Sequence, residues 1–193
     1  MTAVIQRVLR CSLVADGEPY SEIGRGLLIL LGVREGDTDK DVEVLSSKID
    51  GLRIFTDEND KMNLSVNDIG GSIMVVSNFT LCADVRKGKR PSFTPAAAPE
   101  EANRLYEAFV ERLRGSTPVR IGVFGADMQI ELVNDGPITL VVNSEDLIKN
   151  ESETSCCRRI CDKLLYNHFS RRKKRYAYRP VVRHSPYRAF CRR

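Results

Sequence analysis

The first 148 residues of this 193-residue sequence contain no histidine, the side chain that serves as the base in many hydrolytic enzymes. Both histidines, His168 and His184, come later in the chain. A serine or cysteine nucleophile needs a neighbouring base, so residues 1–148 cannot build a Ser-His-Asp or Cys-His site unless the C-terminal segment supplies that base. Two scattered cysteines without histidine are too few ligands for catalytic zinc. Since no phosphate loop or dinucleotide-binding turn is complete either, the sequence predicts no metal and no cofactor.

Hydroxyl and amide side chains are concentrated in the stretch Ser77–Leu81, which reads Ser-Asn-Phe-Thr-Leu. This stretch follows the apolar run 72–77, which is typical of a buried strand. A strand would fix these polar groups while their tips face open space, as in a binding pocket. The alternative is that Ser77 and Thr80 only tie the chain down where it leaves the sheet.

Two further stretches are candidates for recognition. Asn134–Thr139 contains Asp-Gly-Pro and predicts a hairpin turn after which Pro137 begins a strand. Arg86–Phe93 concentrates four cations around a glycine, which suits a contact with phosphate. A solvated run of charge explains the same residues equally well.

The elements that must position these stretches follow from hydrophobic periodicity. One helix is predicted after Asp37 or Thr38, either of which can cap it, with an apolar side from Val42 to Leu52. A second helix is predicted over Pro99–Arg114. About seven strands are predicted, at residues 1–15, around Tyr20, and at 26–33, 72–77, 119–123, 127–133 and 138–143. We therefore expect one α/β domain in which mixed β-sheets form a partial barrel with the two main helices packed outside.

Charge divides the chain into two regions. Residues 1–148 carry 16 Lys and Arg against 23 Asp and Glu, whereas residues 149–193 carry 14 against 3. The first region is predicted to be the folded domain, and the second a flexible basic extension whose run Arg171–Arg175 and interleaved tyrosines suit nucleic acid. The absence of a secretory signal, of a membrane-length apolar run and of a disulfide pattern favours a cytoplasmic protein with reduced thiols and no membrane contact.

Together with Phe124–Gln129, which reads Phe-Gly-Ala-Asp-Met-Gln, these stretches resemble one family, the D-aminoacyl-tRNA deacylases. The resemblance runs from Met1 to about Val142, so it covers the predicted domain and none of the extension. The order and spacing of four separate motifs carry it. One residue departs from the family pattern: Asn78 stands where the family has glutamine, which keeps the amide but shortens the side chain by one methylene.

The resemblance implies an editing hydrolase that cleaves the ester between a D-amino acid and the terminal adenosine of tRNA, and that also removes glycine from alanine tRNA. It implies a layered α/β/β fold, a homodimer and no metal. It also implies a chiral filter made of Gly136 and Pro137, whose cis peptide reaches into the partner's pocket and rejects L side chains. Arg7, on the polar side of the first strand, is expected to support this Gly-Pro pair.

An aminoacyl ester is already activated, so positioning and oxyanion stabilisation can suffice for its hydrolysis. We expect water to attack with help from the ribose 2′-hydroxyl, while Thr80 and Ser77 act at the catalytic centre. Backbone amides near Phe79–Leu81 would hold the oxyanion. The expected substrate-binding residues are Asn78, Phe79, Leu81, Gly136, Pro137, Phe124, Met128 and Arg7, and for Phe124 and Met128 an ordinary core role is an equal alternative.

Two other functions are compatible with the sequence. One is a non-catalytic tRNA- or RNA-binding module that uses the basic extension as its main contact. The other is a hydrolase for a different adenosine ester or for L-aminoacyl-tRNA, suggested by Asn78 in place of glutamine.

Overall fold

The computed structural model describes residues 1–149, so the predictions for the basic extension lie outside the described residues. The described residues form eight strands, two α-helices, a 3-10 helix over Phe79–Cys82 and a helical segment at 144–149. The α-helices are α1 (Asp39–Asp50) and α2 (Pro99–Arg114). The strands are β1 (Thr2–Ala15), β2 (Glu18–Ile23), β3 (Gly26–Gly32), β4 (Phe55–Thr56), β5 (Met62–Leu64), β6 (Ser72–Ser77), β7 (Val119–Ile121) and β8 (Met128–Asn143).

The long strand β1 organises the main sheet. Along one edge it pairs antiparallel with β8 over its whole length. Along the other edge it pairs with β3 over residues 2–8 and with β2 over residues 11–15. Since β3, β6 and β7 then run parallel to one another, the sheet is mixed, and it is nearly closed into a barrel. The predicted α/β class is therefore confirmed.

The helices cover the outer face of this sheet. Their apolar sides, including Leu45 and Ile49 of α1 and Leu105 and Phe109 of α2, are fully buried in the larger core cluster. A second cluster, around Leu13 and Met74, fills the other face of the sheet. Strands β3 and β6 are apolar on both faces because both faces are covered. No helix among residues 1–149 has the length and apolar character needed to cross a membrane.

The last strand differs from its prediction. Residues 128–143 form one strand rather than two, and the predicted hairpin turn at Asn134–Thr139 is wrong. The pairing passes from Gln6–Thr139 to Val8–Asn134, so four residues of β8 bulge out opposite the single residue Arg7. The Asp-Gly turn signal is real, but pairing of β8 with β1 on both sides of it makes a bulge instead of a hairpin.

Two smaller elements were also missed. No strand was predicted between the first helix and residue 72, where the structure has the short β4–β5 hairpin. No helix was predicted after β6, where Phe79–Cys82 form the 3-10 helix. By contrast, α2 begins at Pro99 and ends at Arg114 as predicted, because proline suits the first helical turn and Gly115 follows the last one.

Candidate active site

A cleft of about 1000 Å³ opens where β3 and β6 end. Four segments close it: the 3-10 helix, residues 93–99, the start of α2, and the turn that leads into β8. Its lining is mostly apolar and small, and it consists of Leu30, Val33, Val76, Ser77, Asn78, Phe79, Thr80, Phe93, Thr94, Ala96, Ala97, Ala98, Pro99, Ala102, Phe124, Gly125, Ala126, Asp127, Met128 and Ile130. The volume lies at the upper end of the range for small-molecule sites, so the cleft can take a ligand of nucleoside size with an attached group.

The cleft brings together six of the ten site residues predicted from the sequence. These are Ser77, Asn78, Phe79, Thr80, Phe124 and Met128. The other four, Leu81, Gly136, Pro137 and Arg7, do not line it.

Asn78 organises the polar end of the cleft. Its backbone N–H donates to the Leu31 carbonyl at 2.8 Å, which ties it to β3. Its side-chain Oδ1 caps the 3-10 helix by accepting the Thr80 N–H at 3.2 Å, and it also accepts the Thr80 hydroxyl. The hydroxyl proton of Thr80 is therefore held by an amide oxygen rather than by a base, so no group in this arrangement activates Thr80 as a nucleophile.

The backbone N–H groups at the start of the 3-10 helix differ in their hydrogen-bond partners. The Thr80 N–H is taken by the Asn78 side chain, and the Leu81 N–H donates to the Asn78 carbonyl at 3.3 Å. The amide of Phe79, the first residue of the 3-10 helix, donates to no described residue. The first amides of a helix point outward without partners, so Phe79 offers the donor that a developing oxyanion needs.

Leu81 faces away from the cleft and toward β3. A Cβ built on Gly32 would stand 2.9 Å from the Leu81 Cβ and 3.3 Å from the Asn78 carbonyl oxygen. Glycine at position 32 thus lets the 3-10 helix lie directly against the end of β3.

Aromatic rings stand at the mouth and on the wall of the cleft. Phe79 and Phe93 meet edge to face with 5.1 Å between ring centroids, and their side chains are 57% and 40% exposed. Such exposed rings can stack on a base or pack on an acyl side chain.

Phe124 is half-buried and lies 6.3 Å, centroid to centroid, from the buried ring of Tyr106. The Tyr106 hydroxyl donates to the Val75 carbonyl at 2.9 Å, and burial raises the pKa of Tyr106 to about 12. Met128 lies against the second core cluster. Phe124 and Met128 therefore line the cleft and pack on core residues at once, so the two roles proposed for them are not exclusive.

Charge is scarce inside the cleft. Asp127 is the one charged side chain in its lining among the described residues. The cations predicted to contact phosphate lie outside it, on the loop that precedes Phe93. Within residues 1–149, no group of three His, Cys, Asp or Glu side chains is placed to hold a metal ion.

The Gly136–Pro137 pair lies on the bulge of β8, and its peptide bond is cis. Arg7 supports this bulge from β1. Its Nη1 donates to the Ile54 carbonyl at 2.6 Å, and its Nε lies 2.9 Å from Asp135 Oδ2, close in distance but not aligned as a hydrogen bond. Its Nη2 would stand 3.1 Å from a Cβ added to Gly136, so the guanidinium packs directly under the glycine.

Sequence reasoning missed the cleft wall formed by residues 93–99. Its only local signal is a run of alanines between two prolines, which predicts an irregular segment but not where it lies. Backbone pairing with the end of β3 positions it: Ala97 N–H donates to the Val33 carbonyl at 3.1 Å, and Arg34 and Ala96 form an isolated bridge.

Comparisons with known proteins agree with this arrangement. The family model described as D-Tyr-tRNA(Tyr) deacylase matches residues 4–143. The D-aminoacyl-tRNA deacylase of Chloroflexus aurantiacus is 57% identical over 148 residues, which are 76% of this chain and 92% of that protein. The enzyme of the same name from Persephonella marina is 54% identical over 147 residues, 76% of this chain and all of its own.

A solved structure described as the c-Myc DNA Unwinding Element Binding Protein is 43% identical, with a TM-score of 0.70, and the match covers 74% of this chain and 98% of that one. The residues matched by the family model include all those that line the cleft. The chain therefore belongs to the D-Tyr-tRNA(Tyr) deacylase family, and it is a tRNA-editing hydrolase that acts on the ester of aminoacyl-tRNA.

Proposed function

We propose that this chain removes D-amino acids from tRNA, and glycine from alanine tRNA, while it spares L-aminoacyl-tRNA. The active unit is a homodimer. In it, Gly136 and Pro137 of one chain close the cleft of the other and act as the filter against L side chains. The observation that carries this proposal is the separation of the Gly-Pro bulge from the cleft of its own chain.

That separation follows from β8. The cleft takes Met128 and Ile130 from the start of this strand, whereas the bulge begins after Asn134. Ile130 is the cleft residue of β8 that lies nearest to the bulge, and it precedes Asp135 by five residues, a span of about 17 Å in an extended strand. Because no residue of the bulge lines the cleft of its own chain, we assign the filtering role to the bulge of a second copy.

The surface beside the bulge is suited to meet that second copy. Leu9 has no partner on β8, because the pairing passes from Val8–Asn134 directly to Arg10–Val133, and Leu9 is 52% exposed. Val141, further along β8, is 64% exposed. We assign Leu9 and Val141 to the contact with the second copy.

For the chemical step we propose attack by water, with the ribose 2′-hydroxyl of the substrate assisting. The free Phe79 amide would hold the oxyanion, and Ser77, Asn78 and Thr80 would orient the adenosine end. The bond from the Thr80 hydroxyl to Asn78 supports this assignment over a threonine nucleophile. Near-normal turnover of Thr80→Ala would exclude Thr80 as the nucleophile, and normal hydrolysis of a 2′-deoxy substrate would refute the role of the 2′-hydroxyl.

The specificity test uses the purified full chain with matched D-Tyr-, L-Tyr- and Gly-charged tRNAs, and it measures released amino acid. We expect release from the D-Tyr and Gly substrates and little from L-Tyr. Equal cleavage of D-Tyr- and L-Tyr-tRNA would refute the filter. Binding of tRNA without any release would instead favour the non-catalytic alternative.

The shared-site proposal is tested by mixing a variant with a blocked cleft and a variant with a distorted filter, and by measuring release from L-Tyr-tRNA. Ala126→Trp fills the cleft, with Ala126→Ser as its control, and Gly136→Ala distorts the bulge because Gly136 has φ +117° and its added Cβ would meet Ile138 at 3.0 Å. In a statistical mixture half of the dimers are mixed, and each has one intact cleft facing one intact bulge. Release from L-Tyr-tRNA per intact cleft should therefore fall to about half of its value in Gly136→Ala alone. An unchanged release in a mixture shown to contain mixed dimers would refute the shared site.

We further propose that residues 149–193 add a non-specific nucleic-acid contact. Their 14 Lys and Arg against 3 Asp and Glu support this contact. A chain ending at Ile148 should lose affinity for tRNA mainly at low salt. Unchanged affinity at low salt would refute this contact.

A further inference from the structure

The loop at residues 84–92, called here the basic loop, stands on a fixed base. Asp84 and Ser92 pair through two backbone hydrogen bonds of 2.7 and 2.9 Å, which close the loop like the ends of a hairpin. At its tip Gly88 has φ +71°, a conformation that favours glycine. The loop therefore presents its side chains from a defined position next to the cleft.

One of its four cations is used within the loop itself. The carboxylate of Asp84 accepts the Arg86 Nε at 2.9 Å and Nη2 at 2.6 Å, and it also accepts the Arg86 backbone N–H. These hydrogen bonds lower the pKa of Asp84 to about 2. Arg86 is thus a structural partner of Asp84.

The other three cations have no such role. Lys87, Lys89 and Arg90 are exposed, and none of them forms an ion pair or a side-chain hydrogen bond with another described residue. They stand in a region, residues 1–148, where acidic residues outnumber basic ones by 23 to 16. Three like charges on one short loop repel one another, and an anionic ligand would remove that repulsion.

The loop leads directly into the mouth of the cleft. Phe93 follows Ser92 and meets Phe79 edge to face, and Val85 in the same loop is 68% exposed. Phe93 is the third residue after Arg90, a span of at most about 10 Å. In a stacked strand that rises about 3.4 Å per nucleotide, the same distance covers about three nucleotides. Cations beside exposed aromatic rings are the usual means of holding single-stranded nucleic acid.

We propose that the basic loop binds the phosphates of the single-stranded 3′ end that leads into the cleft, with Lys87, Lys89 and Arg90 on the phosphates and Phe93 against a base. This site rests on the proposed function, because it takes the nucleotides that precede the esterified adenosine. It supplies affinity for the tRNA end without taking part in ester cleavage.

The test compares wild type with two triple variants of the full chain. The loop variant is Lys87→Ala/Lys89→Ala/Arg90→Ala. The control, Lys40→Ala/Lys48→Ala/Lys61→Ala, removes three exposed lysines that do not line the cleft. Affinity for uncharged tRNA is measured between 50 and 200 mM NaCl, roughly the range over which phosphate contacts weaken most visibly. kcat/KM is measured on D-Tyr-tRNA and on D-tyrosyl-adenosine, an ester without phosphates.

We expect the loop variant to bind tRNA about tenfold more weakly. The slope of log affinity against log salt concentration should be smaller in magnitude by about 2, because three phosphate contacts are lost and each contributes about 0.7 on a single strand. Its kcat/KM on D-Tyr-tRNA should fall in parallel, while kcat/KM on D-tyrosyl-adenosine stays within a factor of about two. The control variant should resemble wild type.

Wild-type affinity and salt slope in the loop variant would overturn the proposal, as would an equal loss in the control variant. An equal loss on D-tyrosyl-adenosine would also overturn it, because the loop would then act through the fold of the cleft. If wild type hydrolyses neither ester, the proposed function fails, whereas the tRNA affinities still decide for or against the loop.

Discussion

Removing the Arg7 guanidinium should both destabilise the protein and loosen the Gly-Pro bulge. Arg7 is 7% exposed, and its guanidinium joins β1 to the Ile54 carbonyl and to Asp135 on the bulge. Phe55 lies beneath it, 5.8 Å from the guanidinium carbon to the ring centroid. The substitution Arg7→Met keeps the length of the side chain and removes its charge and donors.

The expected loss of stability follows from the burial of Arg7 and Asp135. Breaking a buried ion pair by removing one member costs about 3–5 kcal/mol, because the other charge is left without a partner. The Asp135 side chain is 23% exposed, so water recovers part of that cost. We expect a loss of about 3 kcal/mol in the free energy of unfolding. For a chain of this size the loss corresponds to a drop of about 1–2 M in the urea midpoint.

The assay is urea unfolding followed by circular dichroism, with Asp135→Asn and the double variant Arg7→Met/Asp135→Asn completing a cycle. The double variant should be less destabilised than the sum of the two single variants by at least about 1 kcal/mol, since no charge is then left unpaired. Where the Arg7→Met protein remains folded, its preference for D-Tyr- over L-Tyr-tRNA should fall about tenfold or more, a loss of roughly 1.4 kcal/mol in discrimination. A midpoint within about 0.3 M of wild type, or strictly additive losses, would refute this reasoning.

Three further substitutions test the site and its support. Asn78→Ala removes the cap of the 3-10 helix and should cost about 1 kcal/mol of stability and lower kcat/KM, whereas Asn78→Asp keeps the oxygen that accepts Thr80 and should restore the stability in urea unfolding. Gly32→Ala should lower kcat/KM about tenfold or more by displacing Leu81, with Gly24→Ala, whose Cβ would meet nothing within 4 Å, as the unaffected control. Tyr106→Phe should cost about 1 kcal/mol at pH 7 through its bond to Val75. Burial raises the pKa of Tyr106 in the folded protein to about 12, so the stability that this group contributes is complete below pH 10 and is lost as the pH rises toward 12. The free energy of unfolding of the Phe variant should therefore fall less than that of wild type between pH 10 and 12. Identical curves of unfolding free energy against pH would contradict this prediction.

Much of the scaffold could be predicted because local signals and tertiary packing agree there. Strands β3 and β6 are apolar on both faces, and α2 has a proline at its start and a glycine after its end. These elements place Ser77–Thr80 at a strand end, which is why the polar stretch could be recognised as part of a pocket before its surroundings were known.

The remainder depends on contacts between distant residues. The Asp-Gly-Pro segment has the local signature of a hairpin, and only its pairing with β1 makes it a bulge above Arg7. The alanine-rich wall at 93–99 has no periodicity, and its position depends on backbone bonds to the end of β3. Phe93 could have been predicted at the cleft only from the way Asp84 and Ser92 close the basic loop.

On the proposed function, the wall built from Ala96, Ala97, Ala98, Pro99 and Ala102 limits how the cleft can discriminate among amino acids. Methyl groups and a proline ring have almost no rotamers, so they cannot rearrange around one preferred side chain. We therefore expect one active site to serve small and large residues alike. Narrowing that range would require a larger side chain in place of one of these alanines, as Ala126→Trp would introduce elsewhere in the lining.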